Sequence, residues 1–245
     1  MRWDERSGQG AFHTTHWSVV LAAREPHLQT EAREALGTLC STYWYPIYAF
    51  LRRDGCTPPE AEDLTQEFFY NFLERDSLRN VSPEGGKFRS YLLTSLKNFL
   101  VNQRERANAK RRGGGCTIIP LEVDSAETKY SLEPVDKASP DVLFDRQWAW
   151  TLVNHALKRV EADYSRQSKD KLFQALRGFL PGAQQAPSRE QAAADCGITL
   201  GALDVAIHRL RQRFGAALRE GVAETVGSVD EVEPEIRYLI TALGG

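Results

Sequence analysis

Apolar residues recur at three- and four-residue spacing along almost the whole chain, which predicts one helix after another. Residues 15–24 and 30–53 read as two helices. Leu36, Leu39 and Tyr43 share a face of the second, and Pro46 should break or kink it. At 57–60, Thr-Pro-Pro-Glu combines a capping box with proline at the first helical position. The helix it opens puts Ala61, Leu64, Phe68 and Phe72 on one stripe and leaves Asp63, Gln66, Glu67 and Glu74 toward solvent. After a polar loop at 76–87, Phe88, Leu92, Leu96, Phe99 and Gln103 carry a long helix to about Lys110, which Arg-Arg-Gly-Gly-Gly (111–115) ends.

Residues 113–139 show no clear period. The stretch 122–146 holds seven acids against three bases, so 113–139 reads as an acidic linker with some order. The best strand candidate, CTIIPLEV (116–123), is short and contains Pro120. Ser139-Pro140 restarts helix. Leu143, Leu152, Val153, Ala156, Leu157 and Val160 mark one face, and Leu172, Phe173, Leu176 and Phe179 another. Residues 181–187 form a loop. The fold class expected is all-α, as two helical domains at 30–112 and 140–226 joined by the linker 113–139. Extensions lie at 1–29 and 227–245. In the last, Ile236, Leu239, Ile240 and Leu243 form a short stripe expected to pack on its own domain. There is no internal repeat.

Charge changes the picture more than composition does. Of 245 residues, 42% are hydrophobic, enough for real cores, and the net charge is -2. Yet Lys87, Arg89, Lys97, Arg104, Arg106, Lys110, Arg111 and Arg112 face a single acid, Glu105, in 26 residues. Phe88, Tyr91 and Phe99 interleave with them. Concentrated cations and aromatic faces suit a phosphate backbone and unpaired bases. The preceding helix is acidic, so two macromolecular partners are expected. No stretch is apolar enough for a membrane span and the N-terminus has no apolar leader core, so a cytoplasmic protein is expected. Cys40, Cys56, Cys116 and Cys196 form no C-x-x-C pair and read as free thiols, and His13 and His16 as an incidental pair.

Residues 188–214 have the parts of a helix-turn-helix. Ser188 and Gln191 can form a capping box, Ala193 is small where helices approach, and Gly197 permits a left-handed turn. Ile198, Leu203, Ile207 and Leu210 supply the buried face. The second helix, starting near Leu200, carries His208, Arg209, Arg211 and Arg213. In this motif that helix enters the major groove. An enzyme is not expected. Glu60, Asp63 and Glu67 cluster on one helix but lack the Glu-x-x-His partners of a di-metal bundle. There is no phosphate-cradling loop or nucleophile elbow either. No cofactor or metal is expected. The rival readings are a repressor or activator, which would bind duplex DNA tightly alone, and a magnesium-dependent DNA-processing enzyme.

EAEDLTQEFF, then KFRSYLLTSLKNFLVNQRERANAKRR, then QAAADCGITLGALDVAIHRLRQRF resemble, in order and spacing, regions 2.2, 2.3–2.4 and 4.2 of bacterial RNA polymerase sigma factors. The resemblance is to the extracytoplasmic-function group of the sigma-70 family and covers about 30–220. It implies no enzymatic activity. It implies instead a factor that docks core polymerase, melts the -10 element and reads the -35 element. By the resemblance, Asp63, Gln66, Glu67 and Phe68 meet the clamp helices of the polymerase largest subunit. Arg79, Asn80, Lys87, Phe88 and Arg89 surround a flipped -10 base, while Asn98, Asn102, Arg106, Lys110, Arg111 and Arg112 hold adjacent DNA. Thr199, Ala202, Asp204, His208, Arg209, Arg211 and Arg213 belong to the -35 surface. Asp204 departs from the lysine many relatives carry early in this helix; a carboxylate repels phosphate but accepts from a cytosine amino group. The implied partners are core polymerase, promoter DNA and an anti-sigma factor.

Overall fold

The computed structural model describes residues 29–74, 87–109, 123–131, 139–180 and 187–244. Every regular element among them is helical, with no strand. The N-terminal helix expected at 15–24, the strand candidate short of Val123 and the 181–186 loop lie outside the described residues. The chain divides into two compact units: Met1–Asp136 with Glu224–Gly227, and Lys137–Ala223 with Ser228–Gly245.

In the first unit, α1 (Gln29–Arg53), α2 (Pro58–Glu74) and α3 (Phe88–Ala109) enclose an aromatic core. Helix α1 runs through Pro46. The proline costs the bond its missing N–H would give the Thr42 carbonyl, but the residue is buried, and packing on both sides holds the helix together. The capping box at the start of α2 forms as the sequence predicts: the Glu60 carboxylate accepts from the Thr57 N–H (2.8 Å) and hydroxyl (2.7 Å). Those bonds hold the Glu60 carboxyl below its usual pKa. Tyr43, Ile47 and Leu51 of α1 are buried with Ala61, Phe68, Phe69 and Phe72 of α2 and Phe88, Leu92, Leu96 and Leu100 of α3. Phe68 meets Phe99 edge-on at 5.7 Å, and Phe72 meets Tyr91 at 5.9 Å. Each buried aromatic contributes about 1.5–3 kcal/mol. The residues Glu224–Gly227 join this unit: Thr225 is fully buried, and its carbonyl accepts from the Phe88 N–H at 2.8 Å, satisfying one unpaired donor at the start of α3.

The stretch read as a linker contains α4 (Val123–Ser131), which packs on α1. Nine residues are too few for a stable isolated helix, so side-chain anchoring carries it. Ala126 is buried. The Glu127 carboxylate accepts from Arg52 Nε (2.9 Å) and Nη2 (2.8 Å), and from the Tyr48 hydroxyl (2.5 Å). The Arg52 guanidinium also lies over the Tyr130 ring, and the Lys129 ammonium over Tyr45. Acidic residues spaced without an apolar period gave no helical signal, because the partners that hold this helix lie 75 and 79 residues back in the chain. The Arg52 hydrogen bonds depress the Glu127 pKa. That anchoring is therefore complete above the ordinary carboxylate range and is lost as pH falls through the depressed value. Glu127→Gln should cost about 1 kcal/mol at pH 7, a charged hydrogen bond discounted for partial exposure, and progressively less as pH falls below the ordinary carboxylate range. Denaturant midpoints across that pH range measure it.

In the second unit, α5 (Pro140–Arg166) starts where expected, with the Ser139 hydroxyl accepting from the Val142 N–H at 3.4 Å. Then come α6 (Asp170–Leu176), a 3-10 turn (Arg177–Phe179), α7 (Arg189–Cys196) and α8 (Leu200–Ala223). Val160, Tyr164, Phe173, Leu176, Ala193, Leu203, Ile207 and Leu210 share one core. After a second 3-10 turn, α9 (Val232–Ala242) packs on α5 and α8. Its Ile236, Leu239 and Ile240, with Leu243 just beyond it, line a small cavity with Leu152, Leu218 and Val222; Leu239 is buried, whereas Ile240 stays half-exposed. Arg219–Glu233 (2.7 Å) and a Tyr238–Asp145 hydrogen bond add polar ties.

Candidate functional site

Two surfaces gather the residues singled out from the sequence, one in each unit.

In the first unit, the Ala61–Phe68–Phe72 stripe of α2 faces inward, which turns its acids outward. Asp63 and Glu67 are exposed and Gln66 is half-buried. Gln66 Nε2 donates to Glu62 (3.3 Å), and Glu67 accepts from Gln103 of α3. Burial and the charge of Asp63 push the Glu62 carboxyl up. Phe68 is 2% exposed and belongs to the core. Its ring lies beneath the acidic face, because the i, i+4 and i, i+7 spacing that buries Ala61 and Phe72 buries it too.

Helix α3 shows the same sorting. Phe88 (0%) and Arg89 (7%) are buried, so neither ring nor guanidinium is presented to a base as the resemblance implied. Phe88 packs beside Tyr43 at 6.0 Å. Lys87 is half-buried, whereas Asn98, Asn102 and Arg106 are exposed along α3. Asn98, Asn102 and Ser95 meet Asn71 of α2 around a cleft of about 160 Å³ whose apolar lining is Phe68, Phe72 and Phe99. The Asn71 amide donates to the Glu67 carbonyl at 2.7 Å. Amide donors and acceptors over an aromatic floor can hold a flat ring with mixed hydrogen-bonding edges. Arg104, counted among the cations, pairs with Asp54 at 2.5 Å. Arg79, Asn80, Lys110, Arg111 and Arg112 lie outside the described residues.

In the second unit, α7 and α8 meet at a sharp turn. The Ser188 hydroxyl accepts from the Gln191 N–H (3.3 Å), while the Gln191 amide turns forward to Asp195, so only half of the expected capping box forms. Gly197 takes φ 64° and ψ 33°, the left-handed region that favours glycine, and ends α7. The Thr199 hydroxyl then caps α8 by accepting from the Ala202 N–H at 3.2 Å. Leu203, Ile207 and Leu210 point into the core, which leaves Gly201, Val205, His208, Arg209 and Gln212 facing out. Ala202 is exposed at the edge of that stripe.

Three charged positions behave differently from their sequence reading. Asp204 pairs with Arg189 of α7 at 3.2 Å, so its charge is partly met within the protein. Arg211 donates from Nε (3.1 Å) and Nη2 (2.8 Å) to the Phe179 carbonyl, which ties α8 to the turn after α6. Arg213 lies over the Tyr164 ring, 5.1 Å from its centroid. With Lys169 and Arg209 it lines a cleft of about 300 Å³ that has no acidic residue in its lining. The sequence missed Arg189, Lys169, Asn71 and Ser95. Arg189 directly follows the cap residue of α7 and could have drawn attention there. The pairing of α7 with Asp204 needs the interhelical geometry.

His208 and Arg209 have no hydrogen-bond or ion-pair partner among the described residues. Arg209→Ala should therefore leave stability within about 0.5 kcal/mol. Arg211→Ala removes a charged donor from the part-buried bonds to the Phe179 carbonyl and should cost about 1–3 kcal/mol. Chemical denaturation of both variants separates a surface cation from a structural one.

Comparison of the chain with protein-family models, with curated proteins and with solved structures found no match to any of the three. No helix among the described residues is long and apolar enough to cross a membrane.

Proposed function

We propose that this chain is a transcription initiation factor of the sigma type, not an enzyme. The observation that carries the reading is the outward sorting of α2 and α3. One helix displays Asp63, Gln66 and Glu67 over a buried aromatic stripe, and the next displays Asn98, Asn102 and Arg106 beside an aromatic-floored cleft. The acidic face suits docking on a larger protein, where charge steers association and sets register. The amide-lined cleft suits an unstacked base, and Arg106 a phosphate. The α7–Gly197–α8 turn, with its capped starts and core-facing leucines, suits a helix-turn-helix with α8 in a major groove.

On this reading, free energy from polymerase docking and backbone contacts offsets the few kcal/mol needed to unstack a base at the -10 element. The helix-turn-helix then fixes the upstream register. Core polymerase is the obligatory partner, and an anti-sigma factor is the natural regulator. The test is retention of purified core polymerase by the tagged full chain, followed by transcription from a genomic DNA pool with start-site mapping. Starts that share upstream elements only when the chain is added support the proposal. Tight promoter binding by the chain alone, without polymerase retention, overturns it in favour of a repressor or activator.

A further inference from the structure

We infer that Val205 reads the C5-methyl group of a thymine in the upstream duplex element, an inference that rests on the initiation-factor reading of α8. Val205 is 50% exposed, as is Leu200 (49%) at the start of the same helix, while Leu203, Ile207 and Leu210 are buried. Its position is central. Counting 100° per residue from Leu203, it lies about 200° round the helix, opposite the buried Leu203, Ile207 and Leu210. Gly201, His208, Arg209 and Gln212 flank it on the same outward stripe. Gly201 has no side chain, and an added Cβ there would meet nothing within 4 Å, so this end of the stripe leaves open space beside Val205.

Charge complementarity identifies the occupant. The cleft beside Val205 is lined by Lys169, Arg209 and Arg213 and by no acid, which matches a polyanion. The one carboxylate early in α8, Asp204, lies about 100° away round the helix and is paired with Arg189. Duplex DNA offers one apolar group in its major groove, the thymine methyl. A valine at the centre of a cation-flanked face has no other complementary feature to bury there. Asp204 then acts as the partner that orients Arg189, not as the reader of a cytosine.

The experiment starts from a random-sequence duplex pool bound by the full chain together with core polymerase. The enriched duplex is resynthesised with deoxyuridine replacing each upstream thymine in turn, which deletes only a methyl. One replacement should weaken binding by the native chain about three- to five-fold, the factor expected for one buried methyl. Val205→Ala should weaken binding of the thymine duplex by a similar factor and bind the thymine and uracil duplexes equally. The exposed position makes misfolding of this variant no concern, and its thermal midpoint checks that. An unaltered thymine-to-uracil difference in Val205→Ala, or no methyl-sensitive position in an enriched duplex, overturns the inference while polymerase retention leaves the initiation-factor reading standing. Enrichment of a methyl-sensitive duplex without polymerase does the reverse. No enrichment under either condition overturns both.

Discussion

Asp63→Lys with Glu67→Lys should reduce association with core polymerase by about a hundred-fold or more while leaving the chain folded. Both side chains are exposed on α2, and neither belongs to the aromatic core. Replacing two acids by two cations on one helix face substitutes repulsion for attraction across a docking surface, and disrupting paired interfacial charges costs about 2–5 kcal/mol. The internal cost is smaller. Glu67 accepts a hydrogen bond from Gln103, and its loss is worth about 1 kcal/mol. Two controls separate the effects. Glu67→Gln keeps an acceptor for Gln103 and removes one charge, so it should fold normally and lose part of the association. Gln103→Ala removes the internal bond and keeps both acids, so it should lose a little stability and no association. Titration calorimetry or surface capture of core polymerase gives the affinities, and denaturation gives the folding. Undiminished association of the double-lysine chain removes α2 from the interface.

Local rules and distant partners explain why some of this architecture could be read from sequence and some could not. The caps at Thr57 and Ser139, the left-handed Gly197 and the core faces of α5 and α8 follow from residues within one or two turns, so their pattern is printed in the chain. The continuity of α1 through Pro46 depends on burial that propensity does not record. Helix α4 depends on Arg52 and Tyr48, and Asp204 on Arg189, pairings set by tertiary geometry alone. The candidate surfaces were legible by residue type more than by direction. Asp63, Glu67, Asn98, Asn102, Arg106, His208 and Arg209 face outward as a contact surface requires. Phe68, Phe88 and Arg89 turn inward, and Arg211 is committed to a carbonyl. A resemblance between sequences points to residue types that a site would use. It does not separate those that touch the partner from those that hold the surface in shape.

Phe68 makes that separation measurable. Its ring packs against Phe69, Phe72 and Phe99, with centroids 5.4–5.7 Å apart. Phe68→Ala should therefore destabilise the first unit by about 3–5 kcal/mol, the cost of a large cavity among aromatic neighbours. It should also lower Tm by more than about 10 °C for a unit of this size. Association with core polymerase would fall too, but only because α2 and α3 lose their register, so the alanine variant alone does not discriminate. Phe68→Leu does. It keeps most of the buried volume and should cost less than about 1.5 kcal/mol. If Phe68 works from beneath the surface, the leucine variant holds polymerase as well as the native chain does. If the ring instead inserts into the polymerase, the leucine variant remains folded and loses about ten-fold or more in affinity, the penalty of truncating an aromatic anchor at the centre of an interface. Measuring both variants at a temperature where each is fully folded decides between the two, and burial of the ring on the α3 side favours the first.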